Sequence, residues 1–96
     1  MIFYNRQGNP ITPSEADSLL IDINYKRILE TTLPDGKWIS TVWLGINHQF
    51  GNGPILIFET MVFNSKGNFT DLDCERYSTE NDAIIGHYKM IEKWTA

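Results

Sequence analysis

A chain of 96 residues makes one domain, 1–96, with room for a single modest core. Its composition is that of an ordinary globular protein, 42% hydrophobic and 21% charged, with 12% aromatic residues to supply large buried areas. The net charge of −4 argues against binding duplex nucleic acid through its phosphates or docking on an anionic membrane. It leaves a small ligand, a basic protein or a second copy of the chain as partners.

The opening stretch, MIFYNRQGNP, contains a short strand, Ile2 to Tyr4, and lacks the basic-then-apolar pattern of a secretory signal. Thr12 then reads as a helix N-cap, with Pro13 at the first helical position and Glu15 closing a capping box. This helix is short and ends near Asp22. Residues 25–33 and 38–46 are rich in β-branched and aromatic side chains and flank Asp35-Gly36, a hairpin signal. A third strand covers 55–63 and a shorter one 72–77. The stretch from Ser78 to Trp94 reads as a helix capped by Ser78 or Thr79. The fold expected is α+β: an antiparallel sheet of four or five strands packed against a C-terminal helix, with a short N-terminal helix.

A two-residue turn at Asp35-Gly36 sets Leu33 opposite Trp38 and Leu29 opposite Val42. The second hairpin sets Ile46 opposite Ile55 and Val42 opposite Glu59. Alternation then gives one face with Tyr25, Leu29, Leu33, Trp38, Val42, Leu44, Ile46, Ile55, Ile57, Met61 and Phe63. The other face mixes Ile28, Ile39, Trp43, Leu56, Phe58 and Val62 with Lys26, Glu30, Thr32, Thr41 and Thr60. The C-terminal helix gathers Ala83, Ile84, His87, Met90, Ile91 and Trp94 on one side. That side should cover the more apolar face and leave the mixed one, with Ile28, Trp43 and Phe58, open as a partner or ligand surface.

Few residues carry recognisable chemistry. Cys74 is the only cysteine, so no intramolecular disulfide and no Cys-x-x-Cys zinc site can form, which fits a reducing cytoplasm. No apolar run is long enough to span a bilayer. His48 and His87 have no metal-ligand spacing, and GNGP lacks the ending of a phosphate loop, so neither metal nor cofactor is expected. In the expected register Glu59 sits among apolar neighbours and needs a partner: His87, Arg27, or a register shifted by one. A Glu59–His87 pair is more readily structural than catalytic, because no nucleophile accompanies it. His87 alone is more readily a buried, hydrogen-bonded histidine than a ligand. The loop NHQFGNGP exceeds ordinary hairpin connections and offers Asn47, His48 and Phe50 either to a ligand or to its own closure. Arg76, just before the last helix, could assist an anion at that helix's first amides, although the acids nearby favour ordinary capping.

The strings TVWLGINHQFGNGPILIFETMVF and RYSTENDAIIGH resemble a group of small bacteriophage- and prophage-encoded proteins of no assigned activity. The match runs from Asp35 onward. Here Ile55 stands where a second proline is frequent in that group. The resemblance implies a bacterial host cytoplasm and an accessory, anti-defence role. The expectation that follows is a homo-oligomer, joined through the mixed sheet face, that sequesters a small polar, nucleotide-derived ligand. Trp43, Phe50 and Phe58 would form its walls, and Asn47, His48 and Arg76 its polar contacts. The alternatives are direct blockade of a host defence protein, and a hydrolase using a His/Glu pair.

Overall fold

The computed structural model describes residues 1–96 and has the α+β architecture expected. In chain order the elements are β1 (Phe3–Tyr4), β2 (Pro10–Ile11), α1 (Pro13–Leu20), α2 (Ile23–Lys26), β3 (Arg27–Thr32), β4 (Trp38–Trp43), β5 (Phe58–Phe63), β6 (Asp71–Tyr77) and α3 (Glu80–Thr95). The last four strands form one antiparallel sheet in sequential order, β3-β4-β5-β6, and β1 pairs with β2 in a separate ribbon. No helix is long and apolar enough to cross a membrane.

The local signals explain the helix starts. Thr12 accepts from the Glu15 amide at 3.2 Å, and Pro13 fills the first helical position, where no amide is needed. Thr79 caps α3 by accepting from the Asp82 amide at 3.1 Å. The single turn α2, not foreseen from the sequence, exists because the Asp22 carboxylate accepts from both the Asn24 and Tyr25 amides.

The first hairpin is shifted by one residue from expectation. The pairs are Thr32 with Trp38 and Leu29 with Thr41. The loop has three residues, not two. Leu33 and Lys37 close it, and Gly36 takes the left-handed position at φ 93° after Pro34 and Asp35. A bulge between Arg27 and Leu29 absorbs the remaining offset. The second hairpin keeps the expected register, Val42 with Glu59 and Trp43 with Phe58. Its ladder stops there. Gly45 turns the chain at φ 84°, and Ile46 bridges to Phe3 instead of meeting Ile55.

The assignment of faces is reversed. Helix α3 lies on the mixed face, where Ile39, Thr41, Trp43, Phe58, Thr60 and Val62 are all fully buried. One end of the core joins Leu33, Ile39 and Val62 to Met90, with Ile91 and Trp94 against them. At the other end Trp43, Ile57, Phe58 and Ala83 are covered by Tyr4, Leu19, Leu20 and Tyr25 from the N-terminal segment. The Trp43 indole donates to the Tyr4 carbonyl at 2.9 Å and meets the Tyr25 ring edge-on at 5.0 Å. Trp43 and Phe58 are therefore core residues of the single chain, not walls of an open surface. The N-terminal elements supply the lid at this end.

His87 explains why the threonine-bearing face was chosen. A helix that buries an imidazole needs hydrogen-bonding groups opposite it. Thr41 reaches Nδ1 at 2.7 Å and Thr31 reaches Nε2 at 2.8 Å. Thr41 also bonds Thr60 across the β4–β5 pair. The result is a line of polar groups under α3, one from each of β3, β4 and β5, centred on the histidine.

Candidate functional site

The sheet face away from α3 carries no covering element. Trp38, Val42, Met61 and Phe63 alternate with the buried residues of β4 and β5 and so point to this side. The Trp38 and Phe63 rings stack with centroids 5.5 Å apart, and Lys66 reaches over Trp38. Two ion-pair groups flank the aromatic pair. On the β3 side, Glu30 takes Arg27 at 2.7 Å and Lys66 at 3.3 Å, and accepts from the Trp38 indole. On the β6 side, Arg76 donates to Glu59 at 2.9 Å. Only 7% of Glu59 is exposed, so this pair is largely desolvated and loss of Arg76 would strand a buried charge.

Glu59 and His87 are thus on opposite faces, and the expected buried pair does not exist. Glu59 meets Arg76, which lies directly across the β5–β6 ladder, and His87 meets threonines. Glu59 and His87 therefore form no acid–base pair with each other. The Arg76 partner was legible in principle: the register that placed Glu59 opposite Val42 leaves its other neighbour to the next strand. Cys74 sits beside the same carboxylate, and burial together with Glu59 pushes its thiol up to about 11, so it is no nucleophile at neutral pH.

The long loop is closed by its own side chains. Asn47 Oδ1 accepts from the Gln49 and Leu56 amides at 2.8 and 2.9 Å, and the His48 amide donates to the Leu56 carbonyl. Asn47 is therefore spent on holding the stem together. Phe50, at the tip, is 92% exposed and anchors nothing. Of the six residues expected to bind ligand, the structure leaves Trp43 and Phe58 in the core, Asn47 in the loop stem, and His48 and Phe50 away from the groove that Arg76 borders.

Arg76 alone borders a concavity. A groove of about 500 Å³ runs between β6 and α3, with Leu56, Tyr77, Ile85 and Met90 as its apolar lining. Glu75, Asp82, Lys89 and Lys93 stand at its rim. Gly86 lets the helix close on Tyr77, whose ring occupies the space a Cβ would need. The Tyr77 hydroxyl is buried, and burial raises its pKa. Gly86→Ala should therefore destabilise the protein. The steric cost of about 1–3 kcal/mol outweighs the gain of up to about 1 kcal/mol in helix propensity, as a denaturant titration would read.

The fold and its surfaces define a two-layer α+β protein: one antiparallel sheet, one helical layer, one bare face, and a groove along one edge. Comparison with protein-family models, with curated proteins and with solved structures finds no match to this chain. No cluster of three or more His, Cys, Asp or Glu side chains is arranged to hold a metal ion.

Proposed function

We propose that this chain is a small accessory binding protein that acts by stoichiometric association, and that its bare sheet face joins two copies face to face. The observation that carries the reading is the side of the four-stranded sheet away from α3, which no other element covers and where half-buried Trp38, Val42 and Met61 surround the buried Phe63 ring stacked on Trp38. Single domains usually cover such a surface with a second layer.

Charge favours a second copy as the occupant. The face holds three positive and two negative side chains, and each belongs to an ion pair within its own chain. The remainder of a molecule with net charge −4 is correspondingly acidic. Two such faces meet with little repulsion and bury no unpaired charge, whereas other pairings of surfaces set acid against acid. Three strands of six residues and one of seven give a footprint of roughly 20 by 20 Å. Two such footprints make about 800 Å² in total, the size of a weak, transient contact. The resemblance to phage- and prophage-encoded proteins makes the bacterial cytoplasm the compartment and a host defence protein the eventual target. A small polar signal is the weaker alternative, since its expected binding residues do not converge.

Sedimentation at rising protein concentration tests the reading. The wild-type chain should pass from monomer to dimer, and Met61→Lys should remain monomeric with an unchanged circular dichroism spectrum. Trp38→Thr, which keeps a good strand former, should behave alike. A wild-type chain that stays monomeric at millimolar concentration overturns the proposal.

A further inference from the structure

We infer that the groove between β6 and α3 is a strand-addition site, taking an extended segment of another protein that carries basic side chains. This surface is separate from the bare sheet face and does not depend on it.

Strand β6 is an edge strand, paired on one side only, seven residues long and free of proline. Its other side has no strand partner, which is the surface that an extended peptide completes. Helix α3 runs back antiparallel beside it. Tyr77 lies on Gly86 near the start of the helix, and Asp73 meets Lys93 and Trp94 near its end. From Asp82 to Lys93 the helix rises roughly 16 Å, the length of about five extended residues. Between them is the groove, with Ile85, 47% exposed, on its helical wall. An apolar side chain of an added strand, opposite Tyr77, would rest there.

The charges select the occupant. Asp73 is committed to Lys93 at 2.7 Å, to the Trp94 indole and to the Cys74 amide. Arg76 is committed to Glu59. Of the charges lining the groove, Glu75 and Asp82 remain without an ion pair against Lys89 alone, so the free charge there is negative. A second copy is a poor occupant. Antiparallel pairing of two β6 strands about Cys74 sets Asp73 opposite the partner's Glu75. Pairing about Asp73 or about Glu75 sets that carboxylate on its own copy. Like charges directly opposite destabilise a strand pair. A strand with lysine or arginine opposite Glu75 is favoured instead.

The probe is the peptide acetyl-Val-Thr-Lys-Val-Thr-Val-Thr-amide, titrated into the intact chain and followed by its amide NMR spectrum. Shifts and slowed amide exchange are expected on Leu72–Tyr77, with shifts on the outer side of α3 from Ile85 to Lys93. The same peptide with glutamate for the lysine should bind roughly fivefold more weakly, from one exposed charge pair turned repulsive. Glu75 is exposed and unpaired, so Glu75→Lys should keep the wild-type spectrum elsewhere and reverse the preference between the two peptides. Three results overturn the inference: no shifts at millimolar peptide, shifts on the bare face around Trp38 and Met61, or a preference that Glu75→Lys leaves unchanged. None of them bears on self-association through that face.

Discussion

Trp43→Ala is expected to cost about 3–5 kcal/mol, which removes much or all of the folding free energy of a domain this small. The indole is fully buried and joins three parts of the chain: the end of β4, the Tyr4 carbonyl and the Tyr25 ring. Truncation removes its apolar contacts and leaves a cavity that the N-terminal lid can fill only partly. It also strips the Tyr4 carbonyl of its indole donor. Urea denaturation gives the midpoint, and the N-terminal elements should loosen first by amide exchange. A stable, monomeric Trp43→Ala chain would show that the lid does not depend on the indole. By contrast, Trp38→Thr on the bare face should change association far more than stability.

The second large effect is on pH dependence. Burial holds the His87 imidazole neutral, with its pKa below the ordinary value of 6.5. The unfolded chain takes up that proton near pH 6.5, so below this pH the unfolded state binds more protons than the folded one. Stability should therefore be level above about pH 7 and fall as pH drops through 6.5, with a limiting slope of about 1.4 kcal/mol per pH unit. The fall continues until the folded-state pKa is reached. Protonation would also give Nδ1 and Nε2 a hydrogen each and force both Thr31 and Thr41 to accept. The carboxylates of Glu30, Asp35 and Asp73 lie below their ordinary range, held there chiefly by Lys66, Lys37 and Lys93. Their contributions are present at neutral pH and lost only in stronger acid. Thermal melts between pH 5 and pH 8 separate the two windows, values chosen about one to two units either side of 6.5. His87→Gln should be less stable at neutral pH and lack the slope around 6.5.

Much of the fold was legible. Thr12, Thr79 and the acids after them marked the starts of α1 and α3, and Asp35-Gly36 marked the first hairpin. The alternation through FETMVF set the β4–β5 register correctly. These are local signals, in which a residue's own hydrogen-bonding groups and backbone freedom decide the outcome. The candidate site was legible only at Arg76, because a site is a matter of which distant residues meet.

Two decisions belonged to the tertiary structure. A three-residue turn closed by Gly36 in place of a two-residue one moved β3 by a single position, and with period-two alternation that exchanges every side chain between faces. Leu29, Thr31 and Leu33 went under the helix as a result. The covered face also gives His87 a hydroxyl at each nitrogen, Thr41 and Thr31. Amino-acid order by itself determined that this protein is one antiparallel sheet with a single long helix, hence with one side exposed. It could not determine which side, because whether Leu29 and Leu33 share a face with Ile39 and Trp43 depends on the length of the first turn. That is settled only when strands, helix and N-terminal lid are assembled together.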